Sequence, residues 1–382
     1  MPDLGVLSVP LLGAAAVFVL ALMGGDDIAI DNIRVMTSLD QPSHTELVLT
    51  RELKDELRAL NESAEAELTG LDVGDAATDK SLTEFEEYFN LATLVGNARN
   101  LAGITAYYVT GELQSRGEGV VLDVRVYSRD RDAPVSVISV KGDPKDLRPM
   151  LKEAALRILG RIDPYAVALH YYHEELGAGD LGFGKTRAMI GDTLTKSPRW
   201  RGYLAYNLIG RMHAKKAELD TALAPEQRQA ELDLAVDYLD AALVQAPGFF
   251  GAHLNLAIVQ TQRHQYELAD RSFAAAVTID PNNATARRRW AESLDEQGRL
   301  REAIMQYVAA VELDPDNAAL RDRLAQLYLK AGRPDLAGPQ WQRALVIDPM
   351  HKAFAERLKL LAGGDEGTAT AVPVKLEAPG AR

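Results

Sequence analysis

One short segment has the residue spacing of a phosphate-binding loop. Residues 179–186 read GDLGFGKT, which matches the Walker A pattern of glycine, four residues and then Gly-Lys-Thr. In such a loop backbone amides surround the phosphates, Lys185 would neutralise them and the Thr186 hydroxyl would bind magnesium. That chemistry needs a strand before the loop, and residues 165–176 have helical periodicity instead. We therefore predict a glycine-rich turn between two helices, with a nucleotide-dependent switch or enzyme as the alternative.

A pair of histidines is the second candidate for chemistry. His170 and His173 lie three residues apart and are followed by Glu174 and Glu175. On a helix the two imidazoles could share a face and bind a metal ion. Because no third ligand has a suitable spacing, we expect these histidines to pack beside neighbouring tyrosines. No Ser-His-Asp set or pair of catalytic carboxylates is recognisable, so we predict no metal, no cofactor and no enzymatic reaction.

Length and charge limit the classes of function that remain. The chain has 382 residues, enough for two domains, and a formal net charge of −13 at pH 7. Binding to phosphate backbones needs a basic face, so we do not expect nucleic acid as a partner. The sequence has no cysteine, which excludes disulfides, thiolate metal sites and lipid attachment through cysteine.

The elements that would position any site come from a repeat in the C-terminal half. Pro247, Pro281, Pro315 and Pro349 are separated by 34 residues each. This period is typical of helix–turn–helix units, which bury their apolar faces only by stacking on one another. The spacing therefore predicts a helical solenoid and favours binding over catalysis.

Within each period the residues resemble those of tetratricopeptide repeats. The two best copies are Trp290-Ala291, Leu294, Gly298, Ala303, Tyr307, Ala310, Pro315 and Leu324-Ala325, Tyr328, Gly332, Ala337, Trp341, Ala344, Pro349. The resemblance implies an all-α superhelical solenoid over residues 163–362 with four clear-to-partial repeats. A degenerate first pair is expected over residues 163–198 and a capping helix after Pro349. Extra sequence at 214–230 separates the helices of one early unit, which leaves its register open.

In this family the first helix of each pair lines a groove that binds other proteins. The groove positions here carry polar and cationic residues, which are the predicted partner-binding site: Asn207, Arg211, Lys215, Asn255, Arg288, Arg289, Arg323 and Lys330. Some members hold an acidic C-terminus in a carboxylate clamp. Asn255 and Arg289 match two clamp positions, whereas Asn207, Arg211 and Thr285 differ from it.

Acidic residues share those groove positions: Glu292, Asp295, Glu296 and Asp322. We therefore expect a groove of mixed charge. The alternative is that this face is a solvated surface that binds no ligand. The predicted partner is a protein with an acidic segment or a free C-terminus.

The N-terminus has the length and composition of a membrane helix. Gly5 to Met23 contains no charged residue, and as a helix it would span about 28 Å, close to the roughly 30 Å of bilayer hydrocarbon. A cleaved signal peptide is the alternative, but a basic start and a small-residue cleavage site are missing. We predict a single-pass anchor over residues 1–25 in the inner (cytoplasmic) membrane.

Residues 26–160 predict a separate α+β module. A strand-like segment at 27–39 precedes two helices, one with Leu47, Leu53, Leu57 and Leu60 on one face and one beginning at Ser81. Residues 104–140 then predict a three-stranded meander, and a final helix is expected from Asp143, with Pro144 at its first position, to Leu159.

Residues 107–130, YYVTGELQSRGEGVVLDVRVYSRD, resemble the TolB-type N-terminal domain of bacterial envelope proteins. That resemblance implies an assembly or sensing module outside the cytoplasm, with the globular part periplasmic. Residues 363–382 lack apolar periodicity and are expected to be a disordered tail. Together these features predict a membrane-anchored scaffold or adaptor that binds a partner protein. A passive assembly protein, held together as a homo-oligomer through its anchor or module, is a further alternative.

Overall fold

The structure, a computed structural model, describes seven stretches of the chain. They are residues 28–30, 33–36, 45–69, 107–117, 119–128, 136–196 and 202–363. The predicted anchor over residues 5–23, the predicted helix at Ser81 and the predicted tail after residue 363 lie outside them. Within the described stretches, no helix combines the length and the apolar character needed to cross a bilayer.

The chain forms two compact units, described here one at a time. The first is built mainly from residues before Glu174 and the second mainly from Glu174 onward. The elements of the first unit are β1 (Ile28–Ile30), β2 (Arg34–Val35), α1 (Glu46–Thr69), β3 (Tyr107–Arg116), β4 (Gly119–Ser128), β5 (Ser136–Gly142) and α2 (Arg148–Ile162). Two further helices, α3 (Pro164–Gly177) and α4 (Gly184–Lys196), contribute residues to both units.

The first unit contains the predicted antiparallel meander of β3, β4 and β5. Along β4 the side chains alternate, with Val124 and Val126 fully buried and Arg125 partly exposed, as the period of two requires. The strand-like segment near residue 30 forms two short strands, and both pair with β3 in parallel. The sheet order is therefore β1-β3-β4-β5, with β2 also on β3.

Helix α1 differs from its prediction at one position. Leu53, Leu57 and Leu60 are buried as expected, but Leu47 is 72% exposed and Leu49 takes its place in the core. The correction follows from helix geometry. Residues 49, 53, 57 and 60 fall on one face at intervals of four and three, whereas residue 47 lies two positions from that series.

Helix α2 begins four residues later than predicted, at Arg148 instead of Pro144. Asp143 does not cap a helix: its Oδ1 accepts a hydrogen bond from the Lys145 amide at 2.8 Å, within a turn closed by a bridge to Asp146. The helix starts at Arg148, and Pro149, rather than Pro144, occupies its first turn. An Asp-Pro pair suits both a turn and a helix start, so local sequence alone did not separate them.

The second unit is a series of antiparallel helix pairs. From residue 202 onward they are α5 (Gly202–Leu219) with α6 (Pro225–Gln245), α7 (Phe250–Gln262) with α8 (Tyr266–Ile279), α9 (Ala284–Glu296) with α10 (Leu300–Leu313), and α11 (Ala318–Lys330) with α12 (Pro334–Ile347), followed by α13 (Lys352–Gly363). The helical solenoid predicted from the proline spacing is thus present.

Small residues recur where the two helices of a pair meet. Ala257, Ala291 and Ala325, at the same repeat position, are fully buried. The corresponding residue of α5 is Gly210, where an added Cβ would lie 2.7 Å from Leu239 Cγ. Close approach of the helices therefore requires glycine in that pair and permits alanine in the others.

The repeated prolines lie in the connections between helix pairs, and three of the four directly follow an aspartate. Asn283 and Asn317 follow two of the repeated prolines and cap the next helix by accepting from the amides of Ala286 and Leu320, at 3.0 and 3.1 Å. The side chain of Asp280 holds the Asn283 amide group at 3.1 Å. The Asp-Pro-x-Asn sequence therefore ends one pair of helices and starts the next.

The extra sequence at 214–230 lengthens the first pair rather than forming a long loop. α5 has 18 residues and α6 has 21, against 13 and 14 in the next pair. Glu231 joins the extended ends, because it contacts His213 Nδ1 at 2.6 Å and Lys216 Nζ at 2.5 Å. Burial, the largest single influence, raises the pKa of Glu231, but the hydrogen bonds and charges of His213 and Lys216 outweigh it and leave that pKa below its ordinary value.

Candidate functional site

The glycine loop, residues 179–186, lies between two helices as predicted. It follows α3, and α4 begins inside it at Gly184. Phe183 and Gly179 have positive φ values of 51° and 73°, which form the tight turn between the helices. A phosphate-binding loop is expected to follow a strand, and this one follows a helix.

The protein itself fills the anion-binding end of helix α4. The Glu175 carboxylate accepts hydrogen bonds from the Lys185 amide at 2.7 Å, the Thr186 amide at 3.2 Å and the Thr186 hydroxyl at 2.6 Å. Glu175 is only 5% exposed and Thr186 is fully buried. The groups that would hold a phosphate and its magnesium ion are therefore occupied by a carboxylate of the preceding helix.

The lysine of the loop also has an acidic partner. Lys185 Nζ lies 2.8 Å from Glu174 Oε1, and both side chains are about half exposed. The two glutamates that end α3 thus bind the two features that gave the loop its resemblance to a nucleotide site. Sequence reasoning noted these glutamates only as neighbours of the histidines.

The paired histidines lie beside aromatic rings. The rings of His170 and Tyr171 are 5.8 Å apart, and those of His173 and Tyr172 are 5.3 Å apart. In the part of the chain that the structure describes, no group of three or more His, Asp or Glu side chains is placed to hold a metal ion.

The first helices of the four pairs lie side by side, and three polar contacts join them. Asn255 Nδ2 donates to Asn207 Oδ1 at 2.9 Å between α7 and α5. The hydroxyls of Thr261 and Ser293 are 2.8 Å apart between α7 and α9. Lys330 Nζ lies 2.5 Å from Asp295 Oδ1 between α11 and α9. We call the surface formed by α5, α7, α9 and α11 the first-helix face.

The eight predicted binding residues all lie on these four helices. Four form a group on α5 and α7, Arg288 and Arg289 form a second group on α9, and Arg323 and Lys330 lie on α11. Asn207, Arg211, Lys215 and Asn255 lie on α5 and α7, where Asn207 is 3% exposed and holds Asn255. Lys215 contacts Glu218 on its own helix at 2.7 Å. Asn207 is therefore a packing residue between helices rather than a surface available to a partner.

The second group is centred on one carboxylate. Arg288 Nη1 lies 2.7 Å from Glu292 Oε1, and Arg289 Nη1 lies 3.1 Å from Glu292 Oε2. The side chains of Arg288, Arg289 and Glu292 are 29%, 42% and 33% exposed, so all three reach solvent. Arg323 lies on the next first helix, α11, where its Nη1 is 3.4 Å from Gln326 Oε1. We call Arg288, Arg289 and Glu292 the arginine cluster.

Tyr307 lies beneath this cluster and was not predicted as part of it. It is 2% exposed, and burial raises the pKa of its hydroxyl above the ordinary value. Glu292 raises that pKa further, and Arg323 and Arg288 lower it. The sequence marked Tyr307 only as the large residue that fills the space between pairs.

Two of the acidic residues predicted for the groove, Asp322 and Glu296, differ in their contacts and exposure. Asp322 is not open to a partner, because its Oδ1 accepts from Trp341 Nε1 at 2.7 Å and from Arg357. Its side chain is 15% exposed and ties α11 to α12 and α13. Glu296 is on the exposed side, and its pKa is raised by partial burial and by the neighbouring carboxylates Glu292 and Asp295.

Asp270 makes a similar set of contacts with a tryptophan and an arginine, at the junction of the two preceding helix pairs. Asp270 accepts from Trp290 Nε1 at 2.8 Å and from Arg299, so one carboxylate ties α8 to α9 and to the start of α10. Asp270 thereby fixes α9, which carries the arginine cluster, and Asp322 fixes the next first helix, α11. The backbones of both helices are held in place before any partner binds.

The comparisons with known proteins agree with the repeat pattern. Residues 288–351 match the family model of the tetratricopeptide repeat. This stretch runs from within α9 to just past α12. It contains Pro315 and Pro349, and the buried alanines Ala291 and Ala325, each pair 34 residues apart. Residues 288–351 therefore match tetratricopeptide repeats, and a small sheet unit precedes the helix pairs in the sequence.

Several solved structures match about half of the chain, at TM-scores below 0.5. They include PilF of Pseudomonas aeruginosa, with 22% identity, 43% of this chain, 68% of that chain and a TM-score of 0.35. MamA of MSR-1 has 19% identity over 53% of this chain and 98% of its own, with a TM-score of 0.35. The protein TTC0263 of Thermus thermophilus has 18% identity over the same two shares and a TM-score of 0.38. No curated protein matches the sequence.

Proposed function

We propose that this protein is an interaction scaffold that binds an acidic segment of a partner protein on its first-helix face. The observation that carries the proposal is the arginine cluster, in which two guanidinium groups share one partly exposed carboxylate. Guanidinium groups bind carboxylates through two parallel hydrogen bonds, so the excess positive charge suits a partner's Asp, Glu or C-terminus.

The fixed helix backbones support the same proposal. Asp270 holds α9 against α8 of the preceding pair, and Asp322 holds α11 against α12, so a partner would not have to order the helices that it binds. Binding to a preformed surface loses less conformational entropy than binding to a flexible one. A scaffold of this kind needs no cofactor.

The proposed scaffold is attached to the bacterial inner membrane through residues 5–23, with its globular part in the periplasm. The charge-free N-terminal segment supports attachment, and the resemblance of residues 107–130 to TolB-type domains supports an envelope location. Deleting residues 1–25 should move the protein from the membrane fraction to the soluble fraction. An intact protein that is already soluble and begins near Asp26 would instead show that the segment is a cleaved signal.

The binding proposal is tested by affinity capture from detergent-solubilised membranes. The variant Arg288→Ala with Arg289→Ala should weaken capture of the partner about tenfold or more, because two charge-assisted hydrogen bonds are lost. The matched control is Arg271→Ala with Arg301→Ala, which removes the same charge from exposed positions on α8 and α10. Equal capture by both double variants would place the interface elsewhere.

A further inference from the structure

We infer that Glu292 is an internal ligand of the arginine cluster, which a partner's carboxylate must displace in order to bind. The inference rests on the proposed function and adds a residue of the protein itself that competes with the partner for the two arginines. Glu292 makes with Arg288 and Arg289 the contacts that a partner's carboxylate would make, one to each oxygen. It thereby lowers the affinity for any acidic segment and favours segments that offer more than one carboxylate.

The positions of the three residues make such an exchange feasible. Glu292 follows Arg288 by four residues and Arg289 by three, so all three side chains lie on one side of α9. Each is between 29% and 42% exposed, and ion pairs at such exposure are weak. Glu292 can therefore leave the guanidinium groups without unfolding the helix.

Within the arginine cluster, two guanidinium groups share one carboxylate. The next carboxylate along α9, Asp295, is paired with Lys330. The arginine cluster by itself thus has two positive charges and one negative charge, and a second carboxylate is the complement that it lacks.

A defined peptide tests this without knowledge of the natural partner. The probe is fluorescein-labelled hexaglutamate with an amidated C-terminus, and hexaglutamine is its neutral counterpart; binding is measured by fluorescence anisotropy at low salt. Glu292→Gln should bind hexaglutamate about fivefold more tightly than the unaltered protein, since it removes the internal competitor. Hexaglutamine should bind neither.

Matched variants separate displacement from a general change in charge. Glu312→Gln removes one negative charge from an exposed position on α10 and should change the affinity less than about twofold. Adding Glu292→Gln to the Arg288→Ala, Arg289→Ala variant should give no gain, because the groups that Glu292 occupies are absent.

Three results would overturn the inference. They are an equal gain in Glu292→Gln and Glu312→Gln, a gain that persists without the two arginines, and failure of every variant to bind hexaglutamate. None of them decides the proposed function, which is judged by whether capture of the natural partner depends on Arg288 and Arg289.

Discussion

The glycine loop and the arginine cluster are two places where this protein binds one of its own carboxylates. In the loop, Glu175 is 5% exposed and is held by two backbone amides and a buried hydroxyl. In the cluster, the Glu292 side chain is 33% exposed and contacts two flexible guanidinium groups. The comparison teaches that burial and backbone hydrogen bonds, more than residue type, decide whether an anion site is permanently filled.

The largest expected effect concerns Glu175, the carboxylate that fills its site permanently. Glu175→Ala should lower the stability of the α3–α4 turn by about 2–3 kcal/mol, because two amides and the Thr186 hydroxyl lose a buried acceptor. Hydrogen exchange of the amides at residues 185–190 measures this local stability. The control is Glu174→Ala, whose side chain is 48% exposed. Equal effects of the two variants would show that Glu175 is not a structural cap.

An intermediate effect comes from Glu231, which is less buried than Glu175 and more buried than Glu292. Its folded-state pKa is lowered from 4.5, so its stabilisation is present above that pH and is lost as the pH falls through the folded value. At neutral pH, Glu231→Gln should cost about 1–2 kcal/mol of stability. The measurement is the thermal midpoint from about pH 7 to about pH 3, where the gap between variant and parent should narrow. A gap that is constant or widens with acid would contradict the assignment.

The smallest effect is expected at the lysine of the glycine loop. Lys185 is 57% exposed and paired with Glu174 at the surface, so Lys185→Ala should change stability by less than about 1 kcal/mol and leave partner capture unchanged. Isothermal titration with ATP and GTP should show no saturable binding to either protein. Saturable nucleotide binding that this substitution abolishes would show that the loop is a phosphate site. The statement that Glu175 fills the loop permanently would then be wrong.

The repeat architecture was predictable from sequence because its signals recur. The 34-residue proline spacing, with Ala291 and Ala325 at one buried position, reports a constraint that every pair of helices shares. A motif that occurs once offers no such check. The sequence at 179–186 has the spacing of a nucleotide site. In the structure, however, the amides of Lys185 and Thr186 donate to Glu175, which lies on the preceding helix.

Errors in the first unit have local causes. Leu47 is apolar and close to the leucine series, but only the face of Leu49 and Leu53 is covered. Asp143 has the same side chain as a helix cap but bonds within a turn. In the second unit, the role of Asp322 depends on Trp341 and Arg357, which are 19 and 35 residues away. Contacts of that range are not encoded in local spacing.

The central claim is that partners bind the first-helix face at the arginine cluster. It is tested most directly by incorporating a photo-crosslinking amino acid in place of Arg289 in cells and, as the control, in place of Arg301 on α10. We predict that illumination joins a partner protein to the variant at position 289 and not to the one at position 301. Cross-linking that is equal at both positions, or that occurs only at position 301, would contradict the account.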